Sequence, residues 1–363
     1  MRSASLALAL LFAAAFAVLP AFAAPTAEEI VARYIDSLGG AQKVAAVQSI
    51  IIRGKYSEGD FNLDATLAKM RPYYKLVGDP LNRSKEFEEG YDGSAWEFYG
   101  DPGFVVRTVT AASEAGRHET AVLGALADYK GEGASVNLIG PATIAGRKTW
   151  QIRLRLRDGF EEDDFLDAAN GRLIASRKVA KVHAVGKDVA SETRWSDFRT
   201  VDGITLPFLE REVEIATGKE LNRFVKTSVT INAKLSPADF SPPDFKRTPE
   251  QTLIETLFVE RDDAATLLWT LFDFRRAHPD VSTDLLCRIA GYQMVKTGQF
   301  KSAFALLEEN AKTYPQSAAA ASSLGRAYAN GGETEKARAE LTRALALDPS
   351  DKRAKAALDG LGK

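Results

Sequence analysis

The end of the chain repeats itself at a fixed distance, and that spacing constrains the fold more than any other feature. Shifted by 34 residues, Gly291 falls on Gly325, Gly298 on Gly332, Ala303 on Ala337, Leu307 on Leu341 and Pro315 on Pro349. A repeat of this length is one supersecondary unit that buries its apolar face by stacking on the next. The residue types say what the unit is made of. Small Gly325 and Ala337 let two helices cross closely, Leu341 and Tyr328 fill the seam, and Pro349 ends the second helix.

The copy over 318–351 carries Leu324-Gly325, Tyr328, Ala337, Leu341, Ala344 and Pro349, and it resembles the tetratricopeptide repeat, a helix-turn-helix unit. The copy over 284–317 is looser, with Met294 at the tyrosine position and Asn310 at an alanine position. Two units rarely bury enough surface alone. The helix pair read from Glu250 to Ala277, ending at His278-Pro279, therefore serves as a degenerate unit over 248–281, and a polar helix over 351–361 caps the open end. The resemblance implies an all-α repeat domain over 248–363 that takes a protein or peptide partner. On the repeat's frame its inner face presents Arg288, Tyr292, Lys296, Arg326 and Asn330, a groove suited to an acidic or carboxylate-ended peptide. The same side chains also read as a solvated helix face or as a surface packed on the preceding domain. They do not reproduce the two-carboxylate clamp of some chaperone-binding repeats.

Before the repeat the period changes to two. Trp150, Ile152, Leu154 and Leu156 alternate with Gln151, Arg153, Arg155 and Arg157, a strand with one buried face. Weaker runs follow the same rule at 49–56, 61–70, 72–77, 172–182, 191–198 and 221–231. Asp92-Gly93, Asp158-Gly159, Asn170-Gly171 and Asp202-Gly203 punctuate them as hairpin turns. Two-residue turns at 158–159 and 170–171 would set Arg155 opposite Glu162, Arg153 opposite Asp164, Asp164 opposite Arg177 and Asp163 opposite Lys178. That register accounts for the acidic run 161–164 without calcium, since alternate strand residues point apart. Two helices are expected, at 26–38 before Gly39-Gly40 and at 111–129. The fold class is therefore α+β, one large curved antiparallel sheet with covering helices, followed by the all-α repeat.

Several stretches of this region resemble the outer-membrane lipoprotein-sorting group of LolA/LolB-like carriers: Tyr34-Ile35-Asp36-Ser37-Leu38-Gly39-Gly40, Tyr91-Asp92-Gly93-Ser94-Ala95-Trp96, Asp202-Gly203-Ile204-Thr205-Leu206-Pro207, and Ala238-Asp239-Phe240-Ser241-Pro242-Pro243. The resemblance implies an open half-barrel over 25–245 whose cavity takes an acyl chain or a lipoprotein. Trp96, Phe98, Trp150, Ile152, Leu154 and Trp195 are its candidate lining, and each also reads as an ordinary core residue.

Arg2, the apolar run from Leu6 to Leu19, and Ala21-Phe22-Ala23 make a secretory signal peptide over 1–23, cleaved after Ala23. The mature chain is then expected in the periplasm, without a membrane anchor. A net charge of −2 gives nucleic-acid binding no electrostatic support. One cysteine, Cys287, and three scattered histidines, His118, His183 and His278, offer neither a disulfide nor zinc-ligand spacing. No nucleophile motif, metalloprotease motif or phosphate loop is present, so neither catalysis nor a cofactor is expected. Two readings follow. One is a periplasmic carrier with an apolar ligand in the half-barrel and a protein on the repeat. The other is a scaffold that binds no lipid, and a hydrolase lacking any recognisable motif stands well behind both.

Overall fold

The computed structural model describes residues 24–58, 61–80, 87–99, 103–107, 121–181, 188–244, 248–259, 262–296 and 298–361. The signal-peptide segment 1–23, His118, His183 and most of the helix expected at 111–129 lie outside them. The described end of that segment forms a 3₁₀ turn, Ala125–Asp128, not an α-helix. Gly124, at φ 90°, opens it, and Gly131 and Gly133 follow within a few residues.

Among the described residues thirteen strands form one open antiparallel sheet. They are β1 Ser49–Glu58, β2 Phe61–Met70, β3 Tyr73–Pro80, β4 Phe87–Tyr91, β5 Ala95–Tyr99, β6 Phe104–Arg107, β7 Ser135–Ile144, β8 Arg147–Arg155, β9 Glu161–Asp167, β10 Leu173–Lys181, β11 Asp188–Val201, β12 Ile204–Glu214 and β13 Glu220–Ile231. Their spatial order is β6-β5-β4-β3-β2-β1-β13-β12-β11-β10-β9-β8-β7. Two hairpin ladders run outward from the central β1–β13 pair, so β6 and β7 are the edges.

The β8–β9 register corrects the expected one by a residue. Arg155 pairs with Glu161, Arg153 with Asp163, and Ile152 with Asp164. The loop spans three residues instead of two: the Leu156 N–H donates to Phe160 O, and Gly159 takes φ 90°. The next hairpin shifts as well, so Arg177 lies opposite Asp163 and Lys178 opposite Glu162. Cross-strand charges still meet, with Arg153 Nε 2.7 Å from Asp163 Oδ1. A one-residue slip, however, sends each side chain to the other face. Glu161 and Asp163 face the arginines, while Glu162 and Asp164 face the opposite side.

That side is covered by helix α1, Ala27–Leu38, and the short α2, Ala41–Ala45. A capping box starts α1: the Glu29 N–H donates to Thr26 Oγ1, and the Thr26 N–H donates to Glu29 Oε2. Gly39 ends it where a Cβ would stand 2.2 Å from the Gly203 carbonyl oxygen, so only glycine lets the chain pass the β11–β12 turn.

Among the described residues seven further α-helices follow: α3 Pro249–Val259, α4 Ala264–Ala277, α5 Asp284–Lys296, α6 Phe300–Thr313, α7 Ala318–Gly331, α8 Thr334–Leu347 and α9 Lys352–Gly360. The seam is built as the spacing implies. A Cβ on Gly291 would meet Leu307 Cγ at 2.7 Å, and one on Gly325 would meet Leu341 Cγ at 2.8 Å. Ala303 and Ala337 are fully buried.

Candidate binding site

The sheet pairing decides which candidates share a face. Ile52 leads across β2 to β6 through Leu67, Leu76, Glu89, Glu97 and Val106. In the other direction Glu58, on the same face of β1, leads through Asn222, Glu212, Thr193, Ser176 and Asp164 to Ile152. Ile152 and Leu154 therefore lie on the covered face, as do Trp150 and Trp195, which stand two residues from Ile152 and Thr193. Trp96 and Phe98 lie on the opposite face. Trp96 is buried there, donating from Nε1 to Phe240 O at 3.1 Å beneath the Lys75 ammonium. The structure thus brings four of the six candidates to one face and sets two on the other.

The covered face changes character along its length. Under α1 it is apolar: Ile30, Val31, Tyr34 and Leu38 pack on Ile152, Leu154 and Leu166, with Trp150 partly buried beside them. Ile152 and Leu154 have 0% exposure, so this floor is closed. Toward Glu58 it becomes polar. The Tyr56 hydroxyl donates to Glu58 at 2.8 Å, Ser191 and Asn222 donate to Glu212, and Lys226 pairs with Glu210. Burial, with Glu58 beside it, pushes the Tyr56 hydroxyl to a higher pKa. Half-buried Trp195 stands opposite Glu210 in this polar half.

Asp164 lies on the same covered face. It is 1% exposed, and neither carboxyl oxygen has a hydrogen-bond partner. Burial, then the neighbouring Glu162 charge, holds this acid well above the usual carboxylate range. Burial likewise raises the pKa of the nearby Tyr34 hydroxyl. Among the described residues one side-chain hydrogen bond ties α1 to the sheet, from Arg33 to Ala168 O at 2.9 Å. Sequence reasoning missed Asp164 because the two-residue hairpin set it opposite Arg153.

In the repeat, three of the five groove candidates, Arg288, Tyr292 and Arg326, have partners. Arg288 bonds Asp284 at 3.3 Å, and the same carboxylate accepts from Asn310 and Ser317. Asn330 is half-buried, and the Lys296 side chain lies outside the described residues. Burial pushes the Cys287 thiol up to about 12, which removes it as a nucleophile. His278 packs at a tilt against Phe274, with ring centroids 4.7 Å apart.

Residues 294–360 match the tetratricopeptide repeat family model. No curated protein matches the chain. Among solved structures it is similar to a LolA superfamily protein of Nitrosomonas europaea, 12% identical over 60% of this chain and 99% of that one, with a TM-score of 0.42. It is also similar to a domain assigned to outer-membrane lipoprotein sorting from Vibrio parahaemolyticus, 11% identical over 58% of this chain and 97% of that one, with a TM-score of 0.41. Both likenesses are remote.

The repeat is fastened to the sheet at β6. The buried Gln251 side chain of α3 accepts from the Val105 N–H at 3.1 Å and donates to the Val105 carbonyl at 2.7 Å. A side-chain amide thus occupies the place of a further strand and seals that edge. Gln293 donates to Glu97 at 2.5 Å, and Phe104 and Val106 are buried in the repeat's own core. Neither glutamine stands in a motif, so the sequence held no signal for them.

Proposed function

We propose that the chain is an exported, non-enzymatic binding protein of the cell envelope. The sheet shelters an apolar ligand beneath α1, and the repeat, over units 248–281, 284–317 and 318–351, engages a protein. The periplasm is the proposed compartment, and an acyl chain or lipoprotein is the proposed cargo. One observation carries the reading: among the described residues α1 sits on the apolar patch of Ile152, Leu154 and Leu166 through greasy contacts, one side-chain hydrogen bond, and a carboxyl that finds no partner under it. Such a cover is displaced by any ligand that offers the floor equal apolar area, because hydrophobic contact is non-directional. Each methylene buried contributes about 0.8 kcal/mol.

The second reading, a scaffold that binds no lipid, is favoured by the 0% exposure of Ile152 and Leu154. The two separate on one experiment. Lipid extracted from the purified chain is identified by mass spectrometry, and a fluorescent fatty-acid probe is titrated into the delipidated protein. The carrier reading expects saturable uptake that weakens when Leu154 is replaced by Asp. Neither lipid nor uptake would leave the scaffold.

A further inference from the structure

The outward face of α4 differs from its counterparts in the array. Counted back from the proline that follows each second helix (Pro279, Pro315 and Pro349), Trp269 corresponds to Ala305 and Ala339, and Phe272 to Glu308 and Thr342. Ala265 corresponds in the same way to Lys301 and Glu335. The later units carry small, polar or charged residues at these positions, as a solvated helix face should. In α4, Trp269 is 68% exposed and Phe272 42%, three residues apart on one side of the helix. The core-facing side of α4 is already occupied by Leu267 and Leu271. The two aromatics are therefore surplus to the fold.

Among the described residues, charges of opposite sign stand at the two ends of this face, with Asp273 paired to the cation at the far end. Exposed Asp262 and Asp263 stand at the start of α4, and Asp263 caps it. Arg276 stands at the end, on the aromatic side, with its side chain 80% exposed and 3.0 Å from Asp273. A helix face with acid at its start, aromatics in the middle and a cation at its end is complementary to itself turned end for end. We propose that this face is a self-association surface, on which a second copy of the chain packs its own α4 antiparallel about a two-fold axis. The axis passes between Trp269 and Phe272, so each Trp269 lies on the other copy's Phe272. Each Arg276 meets the acidic start of the opposite helix, and the helix dipoles oppose. Exposed aromatics and arginine are the residue types that anchor interfaces.

Two aromatics on each side bury less than the roughly 800 Å² per partner of a standard interface, so the dimer is weak and reversible. Sedimentation velocity on the full chain, over about a hundredfold range of concentration reaching the hundred-micromolar level, tests it. The expected result is a monomer–dimer equilibrium. Trp269→Ala with Phe272→Glu installs the residues of the next unit, so the fold is kept, and dissociation becomes at least tenfold easier. Arg276→Glu weakens the dimer several-fold, and Asp262→Lys in the same chain restores it. A wild type that stays monomeric throughout, or a dimer indifferent to the aromatic pair, overturns the proposal. So does a monomer that sediments with phosphatidylglycerol vesicles and loses that binding in the aromatic variant, since the face would then be a membrane contact.

Discussion

Two buried regions of this molecule treat their polar groups in opposite ways. In the repeat, interior polar side chains bond one another even where a single atom, Asn310 Oδ1 or Arg275 Nη2, is left over. Asn310 and Ser317 converge on Asp284, and Gln251 satisfies both backbone groups of Val105. Beneath α1, by contrast, Asp164 is buried without a partner, and the cover rests on apolar contact. Directional bonds fix one arrangement, whereas apolar contact accepts any filler of suitable shape. Under the proposed function the repeat stays closed and the face beneath α1 opens.

The largest effect should come from breaking the fixed region. Gln251→Leu leaves the Val105 N–H and C=O buried and unpaired, at about 1–3 kcal/mol for each group. Urea unfolding should show a loss of about 3–4 kcal/mol, and exchange at β6 should rise. Next comes Gly325→Val, which drives a side chain into Leu341 and should cost about 2–3 kcal/mol by overpacking. Circular dichroism would follow its melting, expected first in the last helices.

Asp164→Asn sharpens the comparison with the opposite sign. Its folded pKa is raised above the unfolded value of about 3.9, so the native state holds the proton longer. Its contribution to stability is full below about pH 4 and is lost as pH rises through the folded value. The variant should lack that decline and be about 1–2 kcal/mol more stable than wild type at pH 8, read from paired urea curves at pH 4 and 8. The smallest effect belongs to Arg288→Ala, a partly exposed i,i+4 pair, at under about 1 kcal/mol by the same measurement. A larger loss would mean that the Asp284 network depends on the guanidinium.

The sequence was most legible where small residues control a close approach. Gly291, Gly325, Ala303 and Ala337 can be read at a distance because no larger side chain fits between crossing helices. Alternation was legible for β8, where arginines and apolar residues trade places. It failed for β7 and β12, because Gly140-Pro141 reads as a turn and Pro207 interrupts the pattern. β12 nonetheless pairs through Pro207, helped by an irregularity in β11 where Asp197 takes φ 53°. Asp164 was hidden by a single loop residue. A two-residue hairpin at Asp158-Gly159 matches the same charges as the three-residue one, so charge pairing could not tell the registers apart. The placement of Trp96 was hidden for a related reason, since β4 to β6 are too short to show which face of the sheet each residue takes.

The proposed function requires α1 to be a displaceable cover beside a fixed repeat. Hydrogen exchange measured by mass spectrometry, with and without a saturating fatty-acid probe, tests it most directly. Ala27–Leu38 should exchange faster than the seam helices α6 and α7 in the free protein, and the probe should change α1, β8 and β9 while leaving the seam unchanged. Exchange in α1 as slow as in the seam, and untouched by the probe, would contradict it.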